Sequence, residues 1–124
     1  MKQILLILLV FISFQGFSQT KIESVTIGKL KVMTTDLGKM TWDEAEAACE
    51  KLGNGWRLPT KEEFEKILYP NKSKIPNRNT EGSSYWSSTY YASNAYDFHF
   101  GGNGSASICF KSGTSYVRAV RTIK

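Results

Sequence analysis

Residues 55–64 read Gly-Trp-Arg-Leu-Pro-Thr-Lys-Glu-Glu-Phe, and this stretch decides the fold. Pro59 disfavours helical backbone at the residue before it, so the chain arrives here as an extended segment. Thr60 is a good helix N-cap, and Glu63 stands three residues later, where its carboxylate can return the bond in a capping box. The pattern predicts a helix that begins after Thr60, with Trp56 buried beside it.

The residues after this capping box supply the apolar face of the helix. Phe64, Ile67 and Leu68 recur at helical spacing, and Pro70 is expected to end the helix. An earlier segment repeats the same arrangement, because Thr41 precedes Glu44 by three residues. Its apolar positions and its C-cap glycine follow at helical spacing: Trp42, Ala45, Cys49, Leu52 and Gly53. The sequence therefore predicts two capped helices.

The rest of the chain predicts strands. Residues 20–35 alternate apolar and polar side chains, with a change of parity across Gly28, which indicates two short strands or one strand with a bulge. Further strands are indicated at residues 85–91, 96–100, 105–111 and 116–123, separated by turn signals at residues 101–104 and 112–114. We expect an α+β fold with two helices packed on a twisted antiparallel sheet.

The N-terminus has the pattern of a signal peptide. Lys2 precedes an apolar run over residues 4–12, and small and polar residues follow up to Ser18. The run is too short for a membrane span, which needs about 20 apolar residues. We therefore expect residues 1–18 to be removed and residues 19–124 to form a single domain without a transmembrane segment. Its expected location is outside the inner membrane: secreted, periplasmic or attached to the cell surface.

The charge of the chain gives little information about a partner. The formal net charge is +5, and the basic residues are spread along the sequence. We interpret these residues as a solvated face, with a weak attraction to acidic glycans as the alternative. They are Lys61, Lys66, Lys72, Lys74, Arg78, Lys111, Arg118 and Arg121. An exported chain without a binding motif is not expected to bind nucleic acid.

The sequence contains few of the residues that a catalytic or metal site needs. The chain has one histidine, His99, which excludes metal sites that need several histidines, and no Ser-His-Asp order is evident. Acidic residues near the first helix fit helix-dipole and solvation roles better than acid–base catalysis; they are Asp43, Glu44, Glu46 and Glu50. Calcium needs six to eight oxygen ligands, and Asp97 is the only carboxylate side chain after residue 82. We expect no enzymatic activity, no cofactor and no metal.

The composition favours recognition. Of the 26 residues from 82 to 107, 17 are Ser, Tyr, Gly or Asn, a mixture typical of adaptable binding surfaces. Trp86, Tyr96, Phe98 and Phe100 are assigned to the core. Residues next to the turns and on the polar 70–84 loop remain as candidate ligand contacts: Lys72, Lys74, Arg78, Tyr90, Tyr91, Asn94 and Asn103. The expected partner is a glycan or an exported protein; the alternatives are a structural subunit of an exported complex and a degenerate relative of an enzyme.

Four motifs along the chain carry a resemblance to a known family. They are Met-Thr-Trp-Asp-Glu-Ala at 40–45, Gly-Trp-Arg-Leu-Pro-Thr at 55–60, Tyr-Trp-Ser-Ser-Thr at 85–89 and Tyr-Val-Arg-Ala-Val-Arg at 116–121. In these motifs the chain resembles the Lcl C-terminal domain (DUF1566) family of exported bacterial proteins, which is similar to C-type-lectin-like domains and to the formylglycine-generating sulfatase-modifying fold. The resemblance implies a C-type-lectin-like fold with long loops, and structural roles for these residues: Trp42, Trp56, Arg57, Leu58, Pro59, Thr60 and Trp86.

The resemblance also bears on the two cysteines. Many relatives carry a cysteine where Ala119 stands, and in lectin-like domains it pairs with one on the first helix. The resemblance implies a Cys49–Cys109 bridge in this chain, with Cys109 in place of the cysteine that relatives carry at position 119. An oxidising compartment permits such a bridge; two buried free thiols are the alternative. Cys109 faces away from Ile108 and Phe110 on its predicted strand, so the bridge requires a bulge or a sheet covered on both faces. The chain lacks the Glu-Pro-Asn and Trp-Asn-Asp signatures of calcium-dependent sugar-binding lectins.

Overall fold

The computed structural model describes residues 21–79 and 82–124, so the predicted signal peptide lies outside the described residues. Within these ranges the chain forms eight strands and two helices in mixed order. The strands are β1 (Ser24–Ile27), β2 (Leu30–Met33), β3 (Lys39–Met40), β4 (Ser84–Tyr91), β5 (Asn94–His99), β6 (Ser105–Phe110), β7 (Ser115–Tyr116) and β8 (Val120–Thr122). The helices are α1 (Trp42–Leu52) and α2 (Lys61–Glu63), and α2 continues into a π-helical turn (Phe64–Leu68).

A three-stranded sheet joins the two ends of the domain. Its order is β1-β2-β8, and all its strands are antiparallel. Gly28, with a φ of +61°, makes the turn between β1 and β2, a conformation that suits glycine because it has no Cβ. The reading of residues 20–35 as two short strands is confirmed.

The second sheet has five strands in the order β3-β7-β4-β5-β6. Its pairs are antiparallel except for β4 with β7, which are parallel. The predicted meander of β4, β5 and β6 is confirmed. The predicted last strand at 116–123 is wrong in one respect: it is divided between β7 in this sheet and β8 in the other, with the residues between them outside both ladders.

Both capping boxes predicted from the sequence are present. Thr41 and Glu44 exchange the expected bonds at the start of α1, and Thr60 and Glu63 do so at the start of α2. The second helix differs from prediction after its first turn, because the Tyr69 N–H donates to the Phe64 carbonyl at 2.8 Å in a π-type bond. The wider turn keeps apolar side chains at both of its ends in the core: Phe64 and Leu68.

The five-stranded sheet has a hydrophobic core on each face, but Ile108 and Phe110 on the edge strand β6 remain exposed. Neighbouring residues of β4 point to opposite sides, so Trp86 and Tyr85 belong to different cores. One core packs α1 against the sheet around Trp86, Ala95 and Val117. The other packs the π-helical turn against Tyr85 and a group of aromatic residues; Phe64 stacks on Phe98 with ring centroids 5.2 Å apart.

The Trp56–Thr60 segment ties the second helix to the C-terminal strand. Trp56 and Leu58 are buried, and Arg57 forms an isolated antiparallel bridge with Val120. The Arg57 guanidinium donates two bonds to the Glu63 carboxylate, at 2.8 and 2.9 Å. The segment therefore joins a helix start, a core residue and a strand in five residues, which supports the structural role expected for it.

Arg118 is buried, so the interpretation of the basic residues as a solvated face is wrong for this residue. Its side chain is only 3% exposed, and its Nε donates to Asp36 Oδ1 at 2.7 Å. The remaining guanidinium nitrogens donate to three backbone carbonyls, those of Met33, Pro76 and Asn77. Arg118 therefore fastens the first half of the 70–84 loop to the core.

The predicted Cys49–Cys109 bridge is absent. Both cysteines are free thiols; Cys49 is buried and Cys109 is half-buried. They border the same core, on α1 and β6 respectively. Burial, with a smaller contribution from Glu46, raises the pKa of Cys49 to about 12, so this thiol stays protonated and unreactive at neutral pH.

Candidate functional site

The structure separates the predicted ligand residues into two groups at opposite ends of β5. Tyr90, Tyr91 and Asn94 lie at the tip of the β4–β5 hairpin. The other four lie beyond the far end of this strand, on the 70–84 loop and the 101–104 turn: Lys72, Lys74, Arg78 and Asn103. A strand of six residues spans roughly 20 Å. The predicted residues therefore do not form one contact surface.

At the loop end, two of the predicted cations pack onto aromatic rings of the domain itself. Lys72 Nζ lies 4.1 Å from the centre of the Tyr69 ring, and Arg78 lies over Phe100 while its Nε donates to the Lys72 carbonyl at 3.1 Å. The Tyr69 hydroxyl donates to the Gly102 carbonyl next to Asn103. These contacts hold the loop and the turn together, and they occupy the faces that a ligand would need.

At the hairpin end, the predicted tyrosines are exposed. Tyr90 is 59% exposed and Tyr91 is 74% exposed, as expected for contact residues. They lie on opposite faces of the sheet because they are neighbours on one strand. The hairpin turns through Ala92, whose φ of +57° is rare for a residue with a side chain.

Lys111 joins the hairpin to the first helix. Its Nζ lies 4.3 Å from the centre of the Trp42 ring and 4.2 Å from that of Tyr90, and the two rings are 5.3 Å apart. Its backbone N–H donates to the Ser93 carbonyl, and its carbonyl accepts from the Trp42 N–H. The ammonium is therefore held between two aromatic faces, a favourable cation–π arrangement.

An open depression of about 400 Å³ lies beside this cluster. The residues that line it carry three hydroxyl groups, a carboxylate, an ammonium and a phenyl ring: Thr41, Ser93, Ser112, Asp43, Lys111 and Phe110. Phe110 is 70% exposed. The depression thus combines hydrogen-bonding side chains with an exposed aromatic ring.

The electrostatic field around the depression is mixed in sign. Burial and the carboxylates of Glu50 and Asp43 raise the pKa of Glu46, and Lys111 opposes this effect only in part. A multiply charged anion is therefore not favoured here. Lys111 and Phe110, which line the depression, were not among the ligand contacts predicted from the sequence; their signal there was a position at the end of a strand next to a turn.

Asp97, His99 and Ser107 come together on β5 and β6, although the sequence showed no triad order. The Ser107 hydroxyl donates to Asp97 Oδ1, and His99 Nε2 lies 3.5 Å from that hydroxyl and 4.0 Å from the carboxylate. In a catalytic triad the serine bonds to the histidine, and the histidine bonds to the carboxylate through its other nitrogen. Here the serine bonds directly to the carboxylate, so the arrangement satisfies a buried acid and does not prepare a nucleophile.

Two further observations concern the described residues as a whole. Across residues 21–79 and 82–124, no three His, Cys, Asp or Glu side chains are arranged to hold a metal ion. Over the same ranges, no helix is both long enough and apolar enough to cross a bilayer.

Comparison with known proteins supports the motif resemblance. The model of the Lcl C-terminal domain matches residues 19–121, which is most of the chain. A search of curated proteins gives no significant match. The matched range includes both helices, the depression described above and both sheets except for Thr122 at the end of β8.

Proposed function

The chain belongs to the Lcl C-terminal domain family, and we propose that it is an exported, non-catalytic recognition module that binds a glycan beside the β4–β5 hairpin. The observation that carries the proposal is the exposed aromatic and polar cluster at this one end of the sheet. Tyr91 is 74% exposed and pairs with Asn94, whose partner on β6 is Phe110; Phe110 in turn lines the depression. Exposed aromatic side chains beside convergent polar groups are common on recognition surfaces.

The chemistry of the depression suits a sugar. A sugar ring presents hydroxyl groups at its edge and C–H groups on its faces. The hydroxyls of Thr41, Ser93 and Ser112 donate and accept hydrogen bonds, and the exposed ring of Phe110 offers an apolar contact. Because Lys111 is the only cation among the described residues that line the depression, and acidic side chains lie close to it, we propose a neutral glycan.

The rigidity of the surrounding structure supports the same proposal. The Trp42 indole N–H donates to the Ser87 carbonyl at 2.9 Å, and Lys111 bonds to Ser93 across the turn. A surface held in this way loses little side-chain entropy on binding, and preorganisation of this kind strengthens affinity.

We propose in addition that the domain is a variant of the C-type-lectin-like fold, exported through the signal peptide predicted at residues 1–18. Two helices on opposite faces of one sheet, and a small sheet that joins the chain ends, support this relationship. An experimental structure that superimposes poorly on lectin-like domains would remove the fold proposal, and an exported protein that retains Met1 would remove the signal peptide.

The glycan proposal is tested with residues 19–124 on a glycan array, followed by titration of the glycans that bind. Tyr91→Ala and Lys111→Met are expected to weaken binding by about tenfold, since a central contact is worth roughly 1–2 kcal/mol. Lys74→Ala, an exposed lysine at the other end of β5, is the matched control and is expected to bind as the wild type does. The wild-type affinity is expected to change little with salt.

Two results would contradict this proposal. One is the absence of binding to any glycan by the folded protein. The other is an equal loss of affinity in Lys74→Ala and Lys111→Met, which would place binding elsewhere. Tyr91→Ala should keep the wild-type melting temperature, because an exposed side chain contributes little to stability.

A specific observation favours a second candidate, a structural subunit of an exported assembly. Ile108 and Phe110 are exposed to 55% and 70% and lie on one face of β6. Neighbouring exposed apolar side chains are a feature of protein contact surfaces. Recovery of the exported protein only in a complex, with no glycan binding, would support this candidate over the first.

A further inference from the structure

Strand β6 forms one edge of the five-stranded sheet, and within residues 21–79 and 82–124 no strand pairs with its outer side. Natural edge strands are protected by charged residues, proline, bulges or a covering element. Residues 105–110 read Ser-Ala-Ser-Ile-Cys-Phe, with no charge and no proline, and their pairing with β5 has an unbroken register. The edge is therefore regular and unprotected.

The backbone groups that face outward can be identified from one bond. The Lys111 N–H donates to the Ser93 carbonyl at 3.1 Å, just beyond the last pair of the β5–β6 ladder. Antiparallel ladders alternate between residues that bond to the neighbour and residues that do not. The odd-numbered residues of β6 therefore bond to β5, and the even-numbered residues Ala106, Ile108 and Phe110 direct their backbone groups away from the sheet.

The side chains of the same three residues share one face. Ala106 packs against the edge of the core, whereas Ile108 and Phe110 project into solvent. The row thus combines exposed apolar surface with outward-facing backbone groups; the Phe110 carbonyl among them accepts from the Gly113 N–H at 2.9 Å and keeps a second lone pair for a partner strand. It is suited to an extended strand that brings matching apolar side chains.

We propose that a second copy of this chain occupies this edge, with the two β6 strands antiparallel about a twofold axis at Ile108. Opposed residues must lie on the same face, so an even-numbered residue meets an even-numbered one. In this register Ile108 meets the partner's Ile108, and Phe110 meets the partner's Ala106. A large side chain therefore lies opposite a small one at both ends of the ladder.

Charge also favours a second copy. The strand is neutral over residues 105–110, so it gives no charge pairing to an acidic or basic peptide. Lys111, the residue directly after the strand, falls opposite the partner's Ser105, which keeps the two lysines about 20 Å apart along the ladder. This separation exceeds the Debye length of about 8 Å at physiological salt. The pairing thus brings apolar side chains of the two strands together and keeps the two lysines apart.

Six-residue strands make a small interface, so the dimer is expected to be weak and to depend on protein concentration. The first test is sedimentation equilibrium of residues 19–124 over a range of concentrations. The wild type is expected to pass from monomer to dimer. A strictly monomeric wild type would overturn the proposal.

Two matched variants locate the interface. Ile108→Lys places two ammonium groups opposite each other at the axis and is expected to abolish the dimer, because directly opposed like charges are destabilising. Tyr91→Lys adds the same charge at another exposed position on the same face, outside β6, and is expected to leave the dimer intact. Retention of the dimer in Ile108→Lys, or its equal loss in both variants, would overturn the proposal.

Cross-linking tests the register. In a Cys109→Ala background, Ile108→Cys places two thiols opposite each other across the axis, within the usual Cα separation for a disulfide. Mild oxidation is expected to link the chains. Ala106→Cys in the same background faces the partner's Phe110 and is expected to stay unlinked. The reverse pattern would overturn the proposed register. The inference does not depend on glycan binding, which the array measures separately.

Discussion

Replacement of Arg118 by alanine is expected to destabilise the domain more than any surface arginine would. Its guanidinium donates to the Asp36 carboxylate at 2.7 Å and to three carbonyl groups at 2.9–3.0 Å. Removing one partner of a buried ion pair costs about 3–5 kcal/mol, because the other charge and its bonded groups lose their compensation. We expect Arg118→Ala to lower the free energy of unfolding by about 4 kcal/mol, a large part of the 5–15 kcal/mol typical of a domain.

The assay is urea denaturation of residues 19–124, followed by tryptophan fluorescence. Arg121→Ala is the matched control: Arg121 is half-buried and lies 5.7 Å from the centre of the Trp56 ring, a contact worth about 0.5–1 kcal/mol. Arg118→Lys keeps the charge but not the planar fork, so we expect it to recover only part of the loss. Similar losses in Arg118→Ala and Arg121→Ala would refute the role assigned to the buried network.

Two further predictions concern titratable side chains. Burial alone would raise the pKa of Glu63, but hydrogen bonds from Arg57 and the Thr60 backbone outweigh this effect and hold the pKa below its usual value. Glu63 therefore stabilises the fold above about pH 4.3. This contribution is lost as the pH falls through the folded-state pKa of Glu63. Glu63→Gln should be about 1 kcal/mol less stable than wild type at pH 7 in urea melts, because the pair is partly solvated, and a gap that stays constant down to pH 3 would contradict this. In native protein at pH 8, mass spectrometry should find Cys109 alkylated and Cys49 unmodified, since burial raises the pKa of Cys49 to about 12; resistance of both thiols until a reductant is added would instead indicate a bridge.

Sequence reasoning succeeded where the signal was local. A capping box needs only two side chains three residues apart, so both helix starts were predictable from Thr41 and Thr60. The alternation along β4, β5 and β6 also depends on neighbours in sequence. The interval of π-helix after Glu63 was not predictable, because Phe64, Ile67 and Leu68 fit an α-helical stripe equally well.

The incorrect predictions for Arg118 and for the last strand both depend on contacts between residues that are distant in sequence. Arg118 was placed on a solvated face because its partners at Asp36, Pro76 and Asn77 are distant in sequence. The same residue belongs to the segment that separates β7 from β8, where one continuous strand was expected. A buried arginine has no recognisable local pattern, since its burial depends on acceptors supplied by three other parts of the chain.

The division of the predicted site follows from the length of β5. Tyr90, Asn94 and Asn103 are close in sequence, but a strand carries the chain steadily away from its start, and β5 separates the hairpin tip from the next turn by its full length. The basic loop is thereby placed at the end where Lys72 and Arg78 already cover aromatic rings. These contacts leave little support for recognition by charge at the loop end, and we therefore propose the depression beside Lys111, at the hairpin end, as the recognition surface.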